Sequence, residues 1–226
     1  MRFTNTGSLD PDARSFGMPE DGAAVYYLFD PELEPVSDNI FKHDLLKTFT
    51  SEIGGQTWLL HFPFTSQELV SFSETGAIYS SASEEFYIRV HSSDGEYIRS
   101  IYHTFPKAPV TGYDLSGLEE RVDAYRFALR EHDVPDHWPA LNLLLVDDEE
   151  RLWVLTITGS DDHFEWWVLD EEGTLLGTHP WPVDRLEGWV GSEYENMIIK
   201  NGALYHLTRN PETDVQHVLK YRIEMN

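Results

Sequence analysis

Apolar positions in this chain fall in short runs broken by glycine, aspartate and serine, a rhythm of strands and turns. A hairpin pattern recurs. An apolar run leads into a turn residue, then a small or variable residue, an aliphatic and an aromatic. It reads Gly76-Ala77-Ile78-Tyr79 after the run 69–72, and Gly202-Ala203-Leu204-Tyr205 after 196–199. Glu150-Arg151-Leu152-Trp153, after 141–146, is a third copy in which glutamate replaces the glycine. A second strand–turn–strand follows two of these hairpins. One runs from Phe86 to Ile101 through Ser93-Asp94-Gly95, the other from Trp166 to Leu176 through Asp170-Glu171-Glu172-Gly173. A run at 25–31 has the same strand character, and 215–223 predicts a last strand.

The pattern therefore predicts two complete four-stranded sheets, 69–102 and 141–179, flanked by partial ones at 1–62 and 195–224. A four-stranded unit of about 40–50 residues is the period of propeller blades. The fold class read from this is all-β: a partial β-propeller of about 3.5 four-stranded antiparallel blades, forming a single domain over 1–226. A β-sandwich is the alternative, but it does not require the hairpin to recur in register. One segment breaks the pattern. Leu118, Val122, Tyr125 and Leu129 recur at helical spacing, predicting one helix over 115–130 inside an insertion at 105–138, with Asp114 as its N-cap.

The segment 140–148, then Leu152-Trp153-Val154, then 167–173, resembles the blades of bacterial six-bladed, NHL-like propellers. The ending, from Asn201 to Tyr205 and from Val218 to Ile223, is similar to the way such chains close. The resemblance implies a repeat scaffold and carries no catalytic residue. Such a ring needs six blades, and this sequence supplies about three and a half.

Composition sharpens the picture in one respect. Forty acidic residues stand against 16 basic ones, a formal net charge of −24. That field repels nucleic acid and anionic lipid, and it suits a salt-rich environment where screening relieves self-repulsion. The lysines number five, Lys42, Lys47, Lys107, Lys200 and Lys220, which favours the halophilic reading. With no cysteine, the chain has neither disulfides nor thiolate metal sites. No apolar run is long enough to span a membrane, and the first residues do not open a signal peptide.

Candidate chemistry gathers on one face. In a four-stranded meander the loop between strands two and three lies at the same end as the connection to the next blade. The insertion and the loop at 159–163 are thus expected to meet, bringing together His132, Asp133, Asp136, His137, Trp138, Asp161, Asp162 and His163. Histidines and carboxylates bind metals and polar ligands, and an exposed Trp138 could stack on a sugar or peptide. Their spacing matches no metal motif, so no metal, cofactor or catalytic residue is assigned. The acidic run Asp147 to Glu150 reads as a solvated hairpin turn, and Trp153, Trp166 and Trp167 as blade packing. Trp181 and Trp189 fall in the loop before the last hairpin, with packing favoured over ligand contact.

The function expected is a binding or scaffolding module for a protein, peptide or carbohydrate. A metal-assisted lyase or hydrolase on the same scaffold is the alternative, and a fragment of a longer chain is a third reading. A partial ring leaves blade flanks open, which predicts strand exchange between the N-terminal segment and the last blade, or a homodimer.

Overall fold

The computed structural model describes residues 2–6, 23–29, 41–44, 48–121, 123–188, 197–210 and 213–224. Every paired strand is antiparallel. A three-stranded sheet comprises β1 (Arg2–Thr6), β2 (Ala23–Phe29) and β3 (Phe41–Asp44), and a two-stranded one β4 (Thr48–Ile53) and β5 (Gln56–His61). The β4–β5 hairpin turns on Gly54 and Gly55, both with positive φ, the geometry that a two-residue turn between right-twisted strands demands.

Two four-stranded meanders follow. The first orders β6 (Glu68–Phe72), β7 (Ile78–Ala82), β8 (Tyr87–His91) and β9 (Tyr97–Tyr102). The second orders β10 (Leu141–Val146), β11 (Leu152–Thr156), β12 (Phe164–Leu169) and β13 (Leu175–Trp181). The last sheet has three strands, β14 (Met197–Lys200), β15 (Ala203–Arg209) and β16 (Gln216–Arg222). The first strands of these three sheets are neighbours, β10 lying between β6 and β14. Successive meanders stacked with their first strands innermost make a partial propeller of four-stranded blades.

The second meander is enclosed on both faces. Leu152 and Val154 pack with Leu69, Tyr79, Ile88, Val90 and Ile101 of the first meander. Trp153 and Leu155, one residue out of phase, pack on the other side with Trp166, Val168, Met197, Ile199 and Leu204. This is why its strands read as continuous apolar runs rather than alternating ones. Each fully buried Leu, Ile or Val contributes about 1.5–3 kcal/mol of transfer free energy. A register shift between Leu141 and Leu143 moves successive leucines of β10 onto opposite faces. The side chain left at that irregularity, Asn142, is fully buried and donates from Nδ2 to the Gly188 carbonyl at 3.1 Å.

The helical segment expected over 115–130 begins three residues earlier, in α1 (Gly112–Arg121), and α2 (Asp123–Glu131) lies on the other side of residue 122. Helix α1 buries Asp114 and Leu118; α2 buries Ala124 and Ala128. Leu118, Ala124 and Ala128 all join the core that holds Trp138 and Trp153. Asp114 is also not the N-cap. Thr111 holds that place. Its hydroxyl accepts from the Asp114 amide at 3.4 Å, and its own amide donates back to Asp114 Oδ2 at 2.7 Å, a capping box with aspartate in the glutamate position.

Helix α2 lies on β4 and β5. Tyr125 donates to the His61 carbonyl at 2.9 Å, and Ser51 to Glu131 at 3.0 Å. The strand exchange expected at the N-terminus is not seen among the described residues: β1 pairs with β2, and the last sheet gains no strand from it. No helix among the described residues is long and apolar enough to cross a membrane.

Candidate functional site

The insertion and the 159–163 loop do meet, and the residue that joins them is one the sequence pattern did not single out. Arg185 is 2% exposed, in the turn after β13. Its guanidinium grips both carboxylate oxygens of the fully buried Asp114 at 2.9 and 3.0 Å. It also donates to Asp161 Oδ1 at 2.5 Å and to the Thr158 carbonyl at 3.3 Å. The remaining face of the cation lies over the Trp138 ring, 5.0 Å from its centre. One buried cation is therefore shared by the capping box of α1, the loop after β11 and a core tryptophan. A bidentate, fully desolvated pair of this kind is strongly destabilised when one partner is lost.

This geometry redistributes the expected site residues. Trp138 is fully buried, edge-on to Phe64 with ring centres 4.8 Å apart, so the ligand-stacking role is corrected to a core role. Asp161 is committed to Arg185. His132 turns away from the loop, its Nε2 lying 3.2 Å from the Thr50 carbonyl of β4 and its ring packing on Phe49. Asp136 and His137 are exposed, and they contribute backbone to a short bridge with Pro109 and Val110. Asp133 is exposed on the same loop. Asp162 and His163 form a local pair, His163 Nδ1 to Asp162 Oδ1 at 2.6 Å. The Ser160 hydroxyl, donating at 2.5 Å, and then the His163 ring hold the Asp162 carboxyl below its ordinary range. Among the described residues, no three histidine, aspartate or glutamate side chains converge as a metal site.

The acidic turn between β10 and β11 is not simply solvated. Asp147 is 1% exposed and accepts from the Glu149 and Arg151 amides, from Arg151 Nε and from the Trp153 indole, all within 2.9 Å. Its neighbours reach sideways. Glu150 accepts from the amide and hydroxyl of Thr75 in the preceding sheet, and Asp148 from the Asn201 amide in the following one. One hairpin turn thus staples three successive sheets at the same end. The acidity that looked like surface charge is an acceptor set for neighbouring turns.

A concave feature lies elsewhere. Between the outer parts of the second meander and the last sheet is a cleft of about 570 Å³. Trp153, Trp166, Val168 and Leu204 floor it; His179 and Trp181 from β13 and Tyr221 from β16 line its sides, with Arg222 and Glu224 at one end. Trp181 and Tyr221 meet with ring centres 5.0 Å apart and planes inclined at 73°. The indole N–H groups of Trp166 and Trp181 are buried without a hydrogen-bond partner, each a cost of about 1–3 kcal/mol. Gly177 also lines the cleft, and a β-carbon built on it would meet nothing within 4 Å. Trp181 was placed by sequence in a loop; it ends a strand. Trp189 lies outside the described residues.

No protein-family model matches the chain, and no curated protein matches it. Solved structures are similar in outline. Hsv2 of Kluyveromyces lactis is 8% identical over 92% of this chain and 69% of its own, with a TM-score of 0.30. A streptogramin B lyase is 8% identical over 98% and 73%, TM-score 0.31. The PQQ-bound aldose sugar dehydrogenase of Streptomyces coelicolor is 10% identical over 92% and 74%, TM-score 0.31. Superpositions at this level carry no functional argument; the fold description rests on the sheet order and packing above.

Proposed function

We propose that this chain is a binding module of the propeller class, and that the cleft between β13 and β16 is where its ligand sits. The observation that carries the reading is the cleft itself: four aromatic side chains, a glycine facing open space, and a few polar groups at the edge, in a volume typical of ligand sites. The loop face supports it less well, since Trp138 and Asp161 are committed to internal contacts. The rival reading, a metal-assisted lyase or hydrolase, has no observation in its favour among the described residues. The likeness of its blades to six-bladed, NHL-like rings belongs to the same proposal, as does adaptation of a −24 surface to salt. Salt-dependent, reversible folding tests the latter, and indifference to salt ends it.

Intrinsic tryptophan fluorescence tests the site directly, because Trp153, Trp166 and Trp181 line it. Titration with neutral oligosaccharides such as maltohexaose and with short linear peptides is expected to give a saturable change for at least one class. Gly177→Trp, which fills the cleft from an unobstructed position, is expected to abolish it. No saturable response, or an identical response in Gly177→Trp, overturns the proposal.

A further inference from the structure

Three inner turns hold one another at one end of the sheets. Glu150 reaches Thr75, Asp148 accepts from the Asn201 amide at 2.9 and 3.1 Å, and Lys200 returns to Glu74 at 2.6 Å. The turn of the last sheet differs chemically from the other two. Lys200 pairs with Ala203 across a two-residue loop, Asn201-Gly202, whose φ angles are 53° and 66°. Asparagine and glycine are the residues that tolerate such a left-handed pair. Asn201 is also the one asparagine of the chain that is followed by glycine. It is exposed, and among the described residues its side chain makes no hydrogen bond. A β-carbon built on Gly202 would meet nothing within 4 Å, so nothing crowds the turn on that side.

We infer that Asn201-Gly202 is a site of spontaneous deamidation gated by Asp148, and that the product releases the last sheet from the second meander. The Gly202 amide nitrogen attacks Asn201 Cγ and closes a five-membered imide. The bond from Cγ to the side-chain nitrogen breaks, and ammonia leaves with the amide proton. Water then opens the imide at either carbonyl, leaving aspartate or β-linked isoaspartate at position 201. Glycine favours the attack because no side chain shields its nitrogen. Asn210 cannot react in this way, since the nitrogen of Pro211 carries no proton, and Asn142 is fully buried. Ring closure requires the Asn201 Cα–C bond to rotate out of the hairpin geometry, while the Asp148 carboxylate holds the amide beside that bond. The gate is therefore local opening of this contact. Either product works against the contact. Aspartate puts a carboxylate on the residue that Asp148 already holds, next to Lys200 and its partner Glu74. Glu74 first, and then Asp148, already hold the Lys200 ammonium above its ordinary range, so the new anion finds that cation engaged. Isoaspartate adds a backbone carbon to a two-residue loop, which breaks the pairing of Lys200 with Ala203.

The full chain is incubated in mildly alkaline buffer made with heavy-oxygen water, and peptide mapping by mass spectrometry follows each asparagine. Residue 201 is expected to lose its amide and take up label severalfold faster than any other asparagine, giving aspartate and isoaspartate together. Asp148→Ala is expected to speed the conversion severalfold, and Asp148→Asn, which keeps an acceptor without the charge, to lie between. Glu150→Ala cuts the contact to the other neighbouring turn and is expected to leave the rate unchanged. Circular dichroism checks that these variants fold. Asn201→Asp is expected to raise hydrogen exchange at Ala203 and Leu204 severalfold in low salt, and less in high salt, where screening weakens the repulsion. Conversion of Asn201 only after unfolding in urea, or at the pace of the other asparagines, overturns the site. Equal rates in Asp148→Ala and Glu150→Ala overturn the gate. Exchange in Asn201→Asp that matches the unaltered chain overturns the release of the last sheet.

Discussion

The two four-stranded meanders share topology but differ in what their faces meet. In β10–β13, Leu152 and Val154 pack one way and Trp153 and Leu155 the other, so neither face of the inner strands sees water. In β6–β9, Ile88, Val90 and Ile101 pack against the second meander, while the opposite face carries Tyr87, Arg89, Ser100 and Tyr102. That face is tied to itself. Ser100 bridges the Tyr87 and Tyr97 hydroxyls at 2.8 and 2.9 Å, and Arg89 sits over the Tyr87 ring. Hydrogen bonding to Ser100, then the nearby Arg89, lowers the Tyr87 phenol from its ordinary range. Position in the stack, rather than strand number, decides whether a blade is written as continuous apolar runs or as alternation.

Breaking the middle of the stack is expected to cost most. Arg185→Ala strands the buried Asp114 carboxylate, and urea unfolding should show a loss of about 3–5 kcal/mol. Trp166→Ala in the enclosed sheet should cost a comparable 3–5 kcal/mol, whereas Tyr102→Ala on the open face should stay within about 0.5 kcal/mol. Similar losses at those two positions would erase the difference between the sheets. The staple between sheets is weaker. Glu150→Ala and Asp148→Ala are each expected to lower stability by about 0.5–1 kcal/mol, their partners being exposed.

The smallest effect is a pH dependence. Burial first, and then Arg89 two residues away, hold the His91 imidazole below its ordinary value of 6.5. The unfolded chain therefore takes up this proton more readily than the folded one. Stability is full above about pH 6.5 and falls as the pH drops below it toward the lowered value in the fold. His91→Asn should narrow the fall in Tm between about pH 7 and pH 5; an unchanged slope removes His91 from the account.

Much of the sheet architecture was legible because it is local. Apolar runs, Asp/Gly turns and short hairpins are set within a few residues, and so was the helical stripe near Leu118 and Tyr125. The candidate site was poorly legible because its contacts are long-range. Arg185 and Asp114 are 71 residues apart, and the walls of the cleft come from strands more than thirty residues apart along the chain. Asp147 and Trp138 were misjudged by residue type: an aspartate in a turn and a tryptophan in a loop usually face solvent, but here each closes an internal hydrogen-bond or ring contact. Periodicity reports which face is buried, not what lies across from it.

Hydrogen exchange resolved by strand tests the central claim most directly. The stack described here predicts the slowest amides in β10, β11 and β12, with faster exchange in the edge strands β9 and β16. Uniform protection across the sheets, or slower exchange in β8–β9 than in β11–β12, would contradict it.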